Sequence, residues 1–405
     1  MRRAVAALAA GAVGLAAGAA LGLVGQPRPS ATATRPTHRA PIVAAPPPAS
    51  LPALRPVVAD TLLAWTPVAL PPRFTTRLSH LPGVNHVVAV MSGEAWLTRS
   101  SDAAGHEVDH PPRGFAIPVE TAAADPQRYL PFVRPADRPL IDALVSGQAL
   151  LGQSSAAFRH LGPGGVLWFG SVRLAVAGVI PDSELGAHEL LVSVSTGRRL
   201  GLARQRYVLV DPSSGASRTR LTAAIRAVLP SGVQVRVRGP GETPYFREGD
   251  AVLPQIEMKE AFGEFTATPL PNGYLDVDPA WRRSHIVTAN VPILGTVTCN
   301  RVLLPMLRGA LSELRSEGLG HLVHPGQYGG CYAPRFVDEN PQTGISHHAW
   351  GAAVDLNVAD NVFGSVPHMD PRVVDVFERW GFTWGGRWMV PDGMHFEFLR
   401  FPTGI

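Results

Sequence analysis

Short apolar runs alternate with polar residues along much of this chain, and their spacing divides it into four stretches. Residues 4–25 form one apolar run behind Arg2 and Arg3. That run assigns residues 1–25 to a secretory signal peptide or an uncleaved signal-anchor helix. Residues 26–74 are rich in Pro, Ala and Thr and keep no apolar period, as expected of a semi-extended linker. From 75 to 240, alternating or β-branched runs at 86–91, 172–179, 190–194, 207–210 and 233–237 predict strands separated by turn residues such as Gly162-Pro163-Gly164-Gly165. One helix is predicted there, over 219–229, stopped by Pro230. The stretch reads as an α+β domain without catalytic spacing.

Past the break Gly239-Pro240-Gly241, a further domain is expected over 250–405. Within 302–317, Leu303, Met306, Leu307, Ala310, Leu311 and Leu314 fall on one helical face, and Gly318 ends it. A second helix opens with Asp370 as N-cap and Pro371 at its first position, buries Val373, Val374 and Phe377, and stops at Gly381. Alternation over 352–358 predicts a strand whose polar side holds Asp355 and Asn357. Pro391 and Gly393 put Asp392 on a turn, and His395 enters a strand on which Glu397 shares its face.

Hydrophobic residues make up 45% of the 405 and charged residues 17%, which excludes a wholly disordered chain. The formal net charge of +4 points first towards nucleic acid, but residues 1–56 hold six arginines and no acid. The remainder has no basic excess, so nucleic acid is not an expected partner. The apolar opening implies an extracytoplasmic body, either secreted or membrane-anchored through that segment. Cys299 and Cys331 suit an oxidising compartment, where an even count predicts one disulfide; two buried free thiols are the other reading.

Two imidazoles and one carboxylate supplied by strand ends, His348, Asp355 and His395, would make a three-ligand zinc site with a fourth position for water. Asp392, three residues before His395, is then placed to take a proton from that water and hand it to a leaving amine. Ordinary polar residues in Gly-rich loops would produce the same spacing.

The pattern S-x-H-x-x-G-x-A-x-D at Ser346, His348, Gly351, Ala353 and Asp355, followed by D-x-x-H at Asp392 and His395, resembles the M15 zinc peptidases. These are the D-alanyl-D-alanine carboxypeptidases and dipeptidases and the L-alanyl-D-glutamate endopeptidases of peptidoglycan. The likeness runs from about residue 276 to 398. It implies an α+β chain whose C-terminal Hedgehog/DD-peptidase-like zinc domain, with a small antiparallel sheet, is separate from the N-terminal α+β domain. It implies that His348, Asp355 and His395 bind Zn2+, the motif's register selecting His348 over His347, and that Asp392 is the general base. Arg335 matches the arginine that stabilises a developing oxyanion or a substrate carboxylate, although an ion pair with Asp338 or Glu339 would also account for it. Cys331 would then fasten this loop to the long helix through Cys299. Glu397 is expected to support a ligand or form an ion pair, and Trp384 and Trp388 to wall a groove or fill the core. Separately, residues 150–182 resemble the extracytoplasmic domains of MacB/FtsX-type permeases, a likeness that assigns no function. The expected activity is hydrolysis of peptidoglycan stem peptides by a metal-activated water, as carboxypeptidase or endopeptidase. The alternative is a non-catalytic, zinc-holding cell-wall binding or regulatory protein.

Overall fold

The computed structural model describes residues 60–402 apart from Val68, Thr243 and Tyr245, all within one compact unit, Pro47–Ile405. The expected signal or anchor segment and most of the expected linker lie outside the described residues. Among the described residues no helix is long and apolar enough to cross a membrane.

The N-terminal part is built on one large sheet. Its strands are β1 (Leu62–Trp65), β2 (Val84–Leu97), β3 (Arg99–Ser101), β4 (Ile117–Ala124) and β5 (Ala149–Gly152). The chain continues through β6 (Val166–Phe169), β7 (Val172–Ile180), β8 (Leu190–Ser193), β9 (Gln205–Pro212) and β10 (Arg236–Arg238). Their order across the sheet is β10-β1-β9-β2-β4-β8-β5-β7-β6-β3. The pairs β4–β8 and β5–β7 are parallel and the others antiparallel, so the sheet is mixed. β5 and β8 are apolar at nearly every position and buried along their whole length, as strands covered on both faces must be. Strand β1 corrects the linker expected over 26–74. Its Leu-Leu-Ala-Trp run is wholly buried and pairs with β9 on one side and β10 on the other. The helix expected over 219–229 is present as Arg218–Ala227, burying Leu221 and Ile225.

The C-terminal part pairs β11 (Ala267–Pro269) with β12 (Leu275–Val277) and β13 (Ile286–Val291) with β14 (Gly295–Asn300). A small antiparallel sheet follows, made of β15 (Ala353–Asp355), β16 (Phe382–Trp384) and β17 (His395–Phe398) in the order β15-β17-β16. The predicted long helix runs Leu304–Ser316 and buries Leu304, Met306, Leu307, Ala310, Leu311 and Leu314. The helix Pro371–Arg379 begins as predicted, the Asp370 side chain accepting from the Arg372 N–H. These helices meet where Gly309 has no side chain; a Cβ there would lie 2.0 Å from the Trp380 ring. Trp380 closes the contact by donating its indole N–H to Glu313 at 2.6 Å. Strand β15 is shorter than the predicted 352–358 because Asn357 takes a φ of 50° and leaves the sheet.

The two parts have separate apolar cores; Trp96 packs across the seam on Phe336, and buried charge lies there as well. Lys259, on the helix Gln255–Phe262, is fully buried and donates to Glu189 and to the Pro118 carbonyl, both at 2.6 Å. Arg159, equally buried, reaches Asp109, Glu189 and Glu264 at 3.1, 3.2 and 2.5 Å. Removing one partner from such a network strands a buried charge and costs about 3–5 kcal/mol. Lys259→Met is therefore expected to lower unfolding stability by that order in urea titration. A loss below about 1 kcal/mol would show that the seam does not depend on it.

Glu94, on β2 in the same seam, receives the Gln255 side-chain N–H but leaves Oε2 buried without a partner. Burial, reinforced by the Glu120 charge, pushes its carboxyl up to about 8. A carboxyl whose folded pKa is raised from 4.5 to about 8 favours the fold fully only below the lower value and loses that advantage as pH climbs through the higher. Glu94→Gln keeps the acceptor and removes the titration. Its thermal midpoint should gain over wild type at pH 8.5 and gain little at pH 5; equal shifts at both would refute the assignment.

Candidate metal centre

The site is assembled from a tight turn and a strand pair. Ser346 starts the turn, its Oγ accepting from the His348 N–H, and His347–Trp350 form one 3-10 turn ended by Gly351 at a φ of 65°. A side chain at Gly351 would meet the Asn300 N at 2.6 Å, so only glycine lets the turn close onto β14. The chain then enters β15, where Asp355 lies directly opposite His395 of β17. Facing residues on antiparallel strands are held close by the ladder itself. His348 reaches the same point from the turn.

Three atoms converge there. His348 Nε2 lies 3.2 Å from Asp355 Oδ1 and 3.2 Å from His395 Nδ1, and His395 Nδ1 lies 3.1 Å from the same Asp355 oxygen. The outer nitrogen of each imidazole is already engaged. His348 Nδ1 is 2.8 Å from the Cys331 carbonyl, and His395 Nε2 is 3.2 Å from Glu397 Oε2. With the ring protons assigned to those outward contacts, the inward nitrogens and the carboxylate all present lone pairs to one another. Only a positive charge among them resolves that. Tetrahedral zinc with bonds of about 2.0–2.1 Å needs ligand atoms about 3.3 Å apart, so the triangle fits the ion. A carbonyl and a carboxylate behind the two histidines are the partners that hold ligand imidazoles in orientation.

The electrostatics agree with that donor set. Burial disfavours ionised Asp355, yet the charge and hydrogen bonds of His348 and His395 hold its carboxyl far below the usual range. Burial alone would lower His395, but hydrogen bonds to Asp355 and Glu397 outweigh it and carry the imidazole up to about 10. The centre favours positive charge.

Asp392 sits on the turn before β17, its backbone N–H donating to the Gly385 carbonyl at 3.0 Å and its carbonyl accepting from the His395 N–H at 3.2 Å. Its Oδ1 is buried without a hydrogen-bond partner. Burial chiefly raises its carboxyl above the ordinary value, against the opposing pull of His395, His348 and Arg335. Arg335 forms no ion pair with Asp338 or Glu339 among the described residues; its guanidinium donates to the Phe336 carbonyl at 3.4 Å, and its charge reaches Asp392. The structure thus brings His348, Asp355 and His395 together, with Asp392 on the adjoining turn and Arg335 within electrostatic range.

Cys299 and Cys331 are disulfide-bonded. Cys299 belongs to β14, so the bond fastens the 331–335 loop to a hairpin and not to the long helix. It holds the Cys331 carbonyl that faces His348. His347 points elsewhere, its Nδ1 lying 2.8 Å from Glu397 Oε2. The Trp388 ring packs on His395 at 5.0 Å, whereas Trp384 stacks on Phe396 in the core. Two contacts have no counterpart in the sequence reading: the Val252 N–H donates to Glu397 Oε1 at 3.4 Å, and the Met389 N–H to Asp250 Oδ2 at 2.7 Å. They join residues 145 and 139 positions apart, and no local pattern signals such pairs.

Residues 339–398 match a family of the M15 peptidases described as D-alanyl-D-alanine carboxypeptidase. The matched stretch contains His348, Asp355, Asp392 and His395 and supports an M15-type peptidase domain at the C-terminal end of the chain. No curated protein matches the chain. Among solved structures, the periplasmic region of MacB from Actinobacillus actinomycetemcomitans is 14% identical, over 45% of this chain and 90% of that one, with a TM-score of 0.33. The extracellular domain of the noncanonic ABC-type transporter YknZ from Gram-positive bacteria is 15% identical, over 40% of this chain and 88% of that one, with a TM-score of 0.27. Likeness at these scores carries no weight for fold or function.

Proposed function

We propose that this chain is an extracytoplasmic zinc peptidase that hydrolyses the stem peptides of peptidoglycan, as a D-Ala-D-Ala carboxypeptidase or an L-Ala-D-Glu type endopeptidase. The observation behind the reading is the convergence of three lone pairs at His348 Nε2, Asp355 Oδ1 and His395 Nδ1, with the outward ring nitrogens already engaged. The disulfide supports an oxidising location.

His348, Asp355 and His395 would hold the ion. Bound there, zinc supplies Lewis acidity that polarises a carbonyl and makes water a stronger acid. The chain's own groups do the rest. The free, buried Oδ1 of Asp392 takes a proton from the attacking water, and its raised pKa then suits it to deliver that proton to the departing amine. The unpaired Arg335 guanidinium stabilises the negative charge that grows on the carbonyl oxygen. Glu397 fixes the ring of His395, and the Cys331 carbonyl fixes that of His348.

Zinc stoichiometry by atomic absorption, combined with mass spectrometry of products from defined muropeptides, tests the reading. One zinc per chain with release of D-Ala, or cleavage at L-Ala-D-Glu, supports it. One zinc with no cleavage would leave a zinc-holding binding protein instead.

A further inference from the structure

The indole of Trp388 has two neighbourhoods. It packs on His395, and Trp388 together with Met389 also lines an open groove of about 490 Å³ whose remaining wall comes from the N-terminal part. That wall consists of Arg226, at the end of the helix Arg218–Ala227, and the segment from Val233 to Arg236 that runs into β10. A second hollow shares Arg226 and extends the groove along the same helix past Thr222 to Arg218. The lining of both holds three arginines and no carboxylate.

Two of those arginines are already matched. Arg218 pairs with Glu242, and Arg236 with Asp250. Arg226 is exposed and makes no ion pair among the described residues. The groove is also built as one piece. Asp250 takes Arg236 and Arg238 on Oδ1 and the Met389 N–H on Oδ2, so a single carboxylate joins β10 to the segment that carries Trp388. Trp388, which touches the ligand His395, thus shares a groove with an unmatched guanidinium.

Resting on the stem-peptide reading above, we propose that this groove is a second substrate-binding site. Arg226 there recognises a free carboxylate of the peptide, away from the bond that is cut. Stem peptides carry side-chain and α-carboxylates that do not react, and a guanidinium binds such a group without taking part in the chemistry. The N-terminal part would then serve specificity, although the reacting groups all lie in the C-terminal part.

The test is steady-state kinetics of the full chain on two muropeptides, one with free carboxylates and one with those carboxylates amidated. Arg226→Glu should raise KM for the acidic peptide about tenfold or more with kcat retained, the scale of one charge contact in binding. The same variant should leave the amidated peptide unaffected. Arg199→Glu, on the helix Val194–Arg199 and outside both linings, controls for net charge and should behave as wild type. An unchanged KM for the acidic peptide, or an equal rise for both peptides, overturns the site. If wild type cleaves neither peptide, the peptidase reading fails separately, and calorimetric binding of the same peptides decides about the groove. Binding of the acidic peptide that Arg226→Glu abolishes sustains it; binding that the variant retains, or none to wild type, overturns it.

Discussion

Replacing Asp392 with Asn is expected to lower kcat on a cleavable muropeptide by roughly 10²–10⁴-fold, the usual contribution of a positioned general base. Zinc should stay bound. The substitution keeps shape and volume, and none of the three converging donor atoms belongs to Asp392. Among the described residues its hydrogen bonds run through the backbone, to Gly385 and from His395, and survive the change. What disappears is the carboxylate's capacity to take a proton, at a side chain whose buried Oδ1 has no partner of its own. Stopped-flow or endpoint assays beside zinc titration separate the two effects. A variant that turns over at wild-type rate removes Asp392 from the reaction; one that loses zinc as well makes it a support of the centre.

The second large effect concerns zinc affinity. Asp355→Ala removes one of three donors and should weaken binding by more than the about 10–100-fold that loss of an outer partner costs. Glu397→Gln should fall within that smaller range, because it keeps an oxygen facing His395 Nε2 while losing the charge and the acceptor for the Val252 N–H. Competition with a chromophoric chelator measures both without reference to activity. The ranking is the informative part. Equal losses would mean that Glu397 holds the centre as strongly as a direct ligand, and no loss in Asp355→Ala would dissolve the three-donor account.

Elements with a clear period or a clear stop were legible in the chain. The helix Leu304–Ser316 shows an apolar face and a terminal glycine, and Pro371–Arg379 shows its cap and its proline. Strands β7 and β8 stand out by β-branched or leucine-rich runs between turns. Strand β1 did not, since four apolar residues beside a Pro- and Ala-rich tract carry too little pattern, and only pairing with β9 and β10 makes them a strand. Asn357 left its strand early because its side chain binds the backbone of His324 and Leu322, a tertiary demand that alternation does not show.

The candidate site divides in the same way. His348, Asp355, Asp392 and His395 lie in two short motifs whose spacing is visible at a glance. Glu397 behind His395 was visible in the same way, but the other supports come from distant positions: the Cys331 carbonyl behind His348, the Val252 amide on Glu397 and Asp250 under Met389, next to Trp388. Backbone carbonyls have no sequence signature at all.

The stretch Asp250–Val252 has a practical consequence for anyone dissecting the chain. A fragment trimmed to begin at Leu253 would retain every motif residue and yet lose the carboxylate beneath Met389 and the amide beside Glu397. It would also expose Lys259 and Glu264, which pair with each other but lose their upstream partners Glu189 and Arg159. Domain boundaries drawn from motif matches alone therefore cut through the foundations of the candidate metal centre, and excision should begin well ahead of them or not be attempted.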